Sequence, residues 1–243
     1  MARSYKWPPV VEAVVEFQVR EPLDAAVLEK LKDKLTDQYP LPPQRNMEFG
    51  FQIGPDSARM HQQFQGYRLT SIDVSDVLLI GPNSIVNSRL APYLGWESLI
   101  ERVQQNWTVF KRVAGQREIT RVGVRFINRI DIPNPGEQPI NLDDYLNVSP
   151  RLPMHSSSPL TGFAVNFSTL LGTEKIRLVV NVGSDNNVLV RVNSFLLDID
   201  LSKDQELPQR EEDLWPFVEK FRNLKNSVFE SCITNRTREV FGT

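Results

Sequence analysis

The 243-residue chain has one cysteine and two histidines, His61 and His155. A single cysteine cannot close an internal disulfide, and no spacing among His61, His155 and Cys232 resembles a structural zinc site. No apolar run is long enough to span a bilayer, and the opening Met-Ala-Arg-Ser-Tyr-Lys-Trp-Pro-Pro lacks the apolar centre of a signal peptide. The net charge of −2 exerts no general pull toward nucleic acid or anionic lipid. Gly162, Gly172 and Gly183 stand singly, so phosphate-loop and dinucleotide-binding spacings are absent. There is no Gly-x-Ser-x-Gly elbow. These absences point to a cytoplasmic chain with a free thiol, no metal, no cofactor, no assigned catalytic residue and no membrane association.

What is present is periodicity. Glu211 to Gly242 reads as one long helix, with Leu214, Phe217, Phe221, Leu224 and Val228 at three- and four-residue steps. Trp96 to Val113 reads as a second, with Trp96, Leu99, Val103, Trp107 and Phe110 on one face. Asp24 to Gln38 is a shorter helix. Strands are expected at Val10 to Val19, Met47 to Ile53, Phe64 to Val74, Val77 to Ile80, Ile85 to Leu90, Ile119 to Ile132, Gly162 to Leu171, Ile176 to Val182 and Val188 to Ile199. A change of face near Asn193-Ser194 suggests a bulge. Pro133 to Pro159 is rich in Pro, Asn and Ser, with one helical turn at Leu142 to Leu146.

The order repeats. Glu12-Ala13-Val14-Val15-Glu16-Phe17 aligns with Arg121-Val122-Gly123-Val124-Arg125-Phe126, and Trp96-Leu99-Val103-Phe110 aligns with Leu214-Phe217-Phe221-Val228. The expected fold is therefore α+β. It is one compact unit with an antiparallel sheet in two pseudo-symmetric, duplicated halves, about residues 1–115 and 116–243, and two long helices packed on one face. If the two aligned strands are neighbours, Glu12 and Glu16 can face Arg121 and Arg125 across the ladder.

Two stretches carry a family resemblance. Pro8-Pro9-Val10-Val11-Glu12-Ala13 opens the chain, and Phe229-Glu230-Ser231-Cys232-Ile233-Thr234, with Arg238 and Gly242, closes it. This combination resembles a sporadically distributed family of uncharacterised prokaryotic proteins of similar length. That family has a Pro-Pro-aliphatic-Glu-Ala strand at the start and a C-terminal helix ending in Phe…Ile-Thr. Members often carry a His one turn before that Phe; here Lys225, Asn226 and Ser227 stand there. The resemblance implies a single full-length unit and lends no activity.

Arginine supplies the candidate surface. Arg121, Arg125 and Arg129 recur every fourth residue along one strand, with side chains on one face, and Arg177 and Arg191 take similar outward positions on later strands. Guanidinium groups so arrayed can hold carboxylates or phosphates, or pair with the chain's own acids. Asp198 and Asp200 share a strand face and could hold a hard cation. Solvent exposure is their plainer reading. His155 lies in a polar loop, Cys232 on an apolar helix stripe. Tyr5, Trp7, Tyr93 and Trp96 read as loop staples or as a partner patch. The leading expectation is a non-enzymatic binding or regulatory module that recognises a protein or anionic ligand through a sheet face or inter-half groove. An enzyme using Asp198, Asp200 and the arginine row on a phosphorylated or anionic substrate stays open. So do nucleic-acid binding and homo-oligomerisation.

Overall fold

A computed structural model describes residues 5–54, 57–136, 140–150, 162–185 and 191–242, without the side chains of 49–54 and 57–63. The expectations for His155 and its loop, and for the His61 side chain, lie outside the described residues. The fold is mixed α+β. Among the described residues, nine strands form one sheet: β1 (Val10–Val19), β2 (Gln44–Gly54), β3 (Ser57–Thr70), β4 (Asp76–Ile80), β5 (Ser84–Leu90), β6 (Ile119–Pro133), β7 (Ala164–Leu171), β8 (Ile176–Asp185) and β9 (Val192–Lys203). Their order across the sheet is β2-β3-β4-β5-β1-β6-β9-β8-β7. The helices are α1 (Ala25–Leu35), α2 (Trp96–Ala114), α3 (Glu211–Cys232) and α4 (Asn235–Val240), with a 3-10 turn at Leu142–Asp144. No described helix is long and apolar enough to cross a membrane.

The chain divides into two compact units. One comprises Val14–Val122 with Asp204–Gln209. Asp24 caps α1 by accepting from the Val27 N–H at 2.8 Å, and Leu28, Leu31 and Leu35 bury its inner face. Trp96, Leu99, Val103, Trp107 and Phe110 bury the inner face of α2, where Trp107 stacks on Phe110 at 5.2 Å. Val15 and Phe17 of β1, Leu78 and Ile80 of β4 and Ile85 of β5 complete this core. Gly66 sets a bulge between β2 and β3, where the register shifts at Asn46/Met47. Its φ is +114°, and a Cβ there would lie 1.9 Å from the Ile80 carbonyl oxygen, so only glycine fits.

The other unit comprises Met1–Ala13, Gly123–Lys203 and Arg210–Thr243. Phe126, Ile130 and Ile132 of β6, Val180 and Val182 of β8, and Leu197, Ile199 and Leu201 of β9 point to its core. Leu214, Val218, Phe221, Lys225, Phe229 and Cys232 form the buried stripe of α3.

Three expectations need correction. The C-terminal helix is not continuous: Ile233 is extended (φ −114°, ψ 154°), and Thr234 caps α4 by accepting from the Thr237 N–H. The break is pinned from outside. Asn147 Nδ2 donates to the Ser231 and Ile233 carbonyls at 2.9 and 3.0 Å, and Tyr145 O accepts from Thr234 N and Thr237 Oγ1. The buried stripe of α3 is also turned from the expected one, so that Val218 and Lys225 point inward while Phe217, Leu224 and Val228 are half-buried. Strand β3 ends at Thr70, because Ser71–Ser75 folds around Asp73, which accepts from the Ser71 and Ser75 hydroxyls. From Ser194 on, β9 pairs with β8 without a register shift, from Asp185↔Ser194 to Arg177↔Ser202.

Candidate recognition face

In the unit built on Gly123–Lys203, side chains of odd residues on β6 and β8 and of even residues on β9 and β7 share the face away from the core. A polar ladder crosses this face. Arg125 donates through Nε and Nη2 to both oxygens of Asp198, each at 2.8 Å. Asn181, opposite Asp198 in the β8–β9 register, donates to Asp198 Oδ2 at 3.0 Å. Asn166 on β7 donates in turn to Asn181 Oδ1. Such a fork-to-carboxylate pair is charge-assisted and directional. Hydrogen bonding to Asp198 raises the Arg125 pKa, which holds the guanidinium charged.

A second cluster lies further along. Arg129 Nε meets Asp131 at 3.0 Å and lies 3.7 Å from Asp185, and Ser194 donates to Asp131. Arg129 Nη2 is buried without a hydrogen-bond partner. Between the clusters lie Ile127 and Leu196, and Val179, opposite Asp200, flanks the first cluster on its far side; all three are half-buried.

The five arginines picked from sequence therefore fare differently. Arg121 pairs with Glu16 in the Val14–Val122 unit. Arg125 and Arg129 carry the two networks just described. Arg177 is exposed on β8 and makes no ion pair or side-chain hydrogen bond among the described residues. Arg191 is not on a strand. It sits in the turn before β9 with φ 63°, and its carbonyl accepts from Asn134 N at 2.7 Å. The row does not form one free cationic surface, because an acid sits within reach of each of the three β6 guanidinium groups.

Among the described residues, no three His, Cys, Asp or Glu side chains gather where they could hold a metal. Asp198 is occupied by Arg125 and Asn181. Cys232 is buried, which pushes its thiol up to about 11, away from the reactive thiolate. Tyr5 is a staple: its hydroxyl donates to Glu230 at 2.6 Å and its ring meets Phe241 edge-on at 5.2 Å. Trp7 is 59% exposed, and Trp96 is buried.

Two features escaped the sequence reading. Lys225 is nearly buried on α3, with Nζ 3.9 Å above the Phe126 ring. Desolvation, with Arg222 nearby, lowers its pKa to about 8. The second is a polar network inside the Val14–Val122 unit. Asp76 faces Arg89 across β4–β5 at 3.0 Å, with Arg102 at 3.5 Å. Asn106 Nδ2 donates to the Tyr39 hydroxyl and to Asn87 Oδ1, each at 2.7 Å, and Asn87 donates to Val15 O. Burial pushes the Tyr39 hydroxyl up to about 12. The network had a signal: Asn106 sits between Val103 and Trp107 on the apolar stripe of α2, and Arg89 shares the inward parity of Ile85.

No family model matches the chain, and no curated protein matches it in sequence.

Proposed function

We propose that the chain is a non-enzymatic binding module that recognises a protein through the outer sheet face of the unit containing Gly123–Lys203. One observation carries this reading: the β6 arginines on that face are matched to acids, as in Arg125–Asp198, leaving a hydrogen-bonding surface whose centre is charge-balanced and set among Ile127, Val179 and Leu196. Protein interfaces have this composition, with apolar centres and satisfied polar groups. A phosphate or nucleic-acid site requires several gathered cations that the protein itself has not neutralised; on this face Arg125 and Arg129 are matched to acids, and Arg177 stands apart from them at the β8 end.

The duplication belongs to the same reading. Counting outward from β1, the sheet runs β5, β4, β3, β2; counting outward from β6, it runs β9, β8, β7. In both cases a first strand is followed by an antiparallel meander whose last strand returns beside it, and then by a long helix. This common winding supports two copies of one ancestral unit, the first with a four-stranded meander and the second with three.

The test is site-specific photocrosslinking in the producing cell. A benzoylphenylalanine replacing Ile127 forms a discrete adduct with another protein. The same residue replacing Leu94, 64% exposed in the other unit, does not. Absence of an adduct at 127, or an equal one at 94, overturns the assignment.

A further inference from the structure

The recognition face ends at β7, and the end is unusual. Among the described residues, β7 is an outermost strand of the sheet. Its sequence, Ala-Val-Asn-Phe-Ser-Thr-Leu-Leu, contains no charge, proline or glycine. Six of its eight residues are exposed, including Leu170 at 59% and Phe167 at 37%. Sheet edges are ordinarily protected by lysine, proline, bulges or short length, since an open edge pairs with any available strand. The β7–β8 register is unbroken over all eight residues of β7, so no bulge protects this one.

The backbone geometry shows which groups are available. Ser184 N donates to Phe163 O at 3.0 Å, which makes Phe163 and Ser184 a hydrogen-bonded pair. Antiparallel pairs alternate, so Val165, Phe167, Thr169 and Leu171 bond to β8. The N–H and C=O groups of Ala164, Asn166, Ser168 and Leu170 point to the open side.

Charge selects the occupant. Arg177 lies opposite Leu170 in the register and makes no ion pair among the described residues. Lys175, in the turn joining β7 to β8, is exposed and likewise makes none. Glu174 of that turn is taken by Lys220. Uncompensated positive charge therefore stands at the Leu171 end of β7. A residue added opposite Leu170 lies two strand spacings from Arg177, about 10 Å, a gap that an arginine and a glutamate side chain close together. A second copy of β7 brings no acid to that position, because the strand is uncharged.

Resting on the protein-recognition reading above, we propose that β7 accepts an extended peptide as a tenth strand, with apolar or β-branched residues along its length and an acidic residue beside Arg177. Main-chain hydrogen bonds supply affinity in this mode, and the acid sets register.

The probe is a fluorescein-labelled octapeptide of alternating threonine and valine with glutamate at both ends, which serves either strand direction. The control peptide carries lysines in place of the glutamates. Fluorescence anisotropy is expected to show the glutamate peptide binding about tenfold tighter or better. Ser168→Pro removes an outward N–H without touching the β8 ladder and is expected to weaken binding by about tenfold or more; Ser168→Ala, which keeps the N–H, leaves it unchanged. Arg177→Glu reverses the preference between the two peptides. Equal binding of both peptides, or undiminished binding by a folded Ser168→Pro protein, overturns the proposal. A dimer seen by sedimentation in the wild type and lost in Ser168→Pro also overturns it, naming a second copy as the occupant. Failure of the peptide with the Ile127 adduct intact removes the edge assignment alone; failure of the adduct removes the reading beneath it.

Discussion

Both compact units contain an arginine forked or aimed at an aspartate across neighbouring strands, yet they place the pair on opposite sides of their strands. Asp76–Arg89 lies among buried residues, with about a tenth or less of either side chain exposed. Arg125–Asp198 lies on the outer face, with the arginine 47% exposed. The chemistry is shared and the energetics are not. A buried pair has been stripped of water, so each charge depends on its partner. In the outer pair the arginine is half-exposed, so water replaces the carboxylate when Asp198 is lost. The first is a structural requirement of its unit, whereas the second can be presented to a ligand at little cost to the fold.

The largest expected effect comes from breaking the buried pair. Asp76→Ala leaves Arg89 without its carboxylate and is expected to destabilise by about 3–5 kcal/mol in urea unfolding. A loss no larger than that of an exposed pair would show that water reaches the site.

Lys225 sharpens the contrast from the other side, since it is a buried charge without a carboxylate in contact among the described residues. Burial opposes its charged form, and the Phe126 ring face favours it by about 0.5–2 kcal/mol. With the pKa drawn from 10.5 to about 8, the folded chain releases a proton that the unfolded chain keeps. Stability therefore rises as pH climbs from about 8 to 10.5. Lys225→Met is expected to stabilise by about 1–3 kcal/mol at pH 7, on the scale of 1.36 kcal/mol per pKa unit less the ring contribution. The gain shrinks through the same window. A destabilised variant, or a gain that does not change with pH, contradicts the burial cost.

The smallest effect belongs to the outer face. Asp198→Ala is expected to cost about 1 kcal/mol or less, because Arg125 reaches solvent. A cost like that of Asp76→Ala would make the ladder a structural element and remove the distinction between the two units.

Much of the strand and helix framework was legible because period-2 and period-3.6 apolar spacing reflects burial directly. β1, β6 and α2 follow their patterns closely. The break at Ile233 was not legible, since Ile233 continues the apolar stripe and its extended backbone is imposed by Tyr145 and Asn147, far away in the chain. The same applies to Arg191: alternation put it on a strand, but the chain turns there with a positive φ. The arginine row on β6 was readable as a row, and its neutralisation depended on which strand lies beside it. Arg125 aligns with Glu16's side of the apparent repeat but takes Asp198 of β9. Strand order is a tertiary fact that local pattern does not encode. Asn106, by contrast, was visible as a polar residue interrupting an apolar stripe.

The most direct measurement is the Ile127 crosslink made in a protein carrying Arg125→Met and Asp198→Leu together. Removing both charges leaves neither unpaired, so the fold is expected to survive with its urea midpoint little changed. The adduct at 127 is expected to disappear. An undiminished adduct on the folded double variant would contradict the account, because recognition would then not depend on the face that this pair organises.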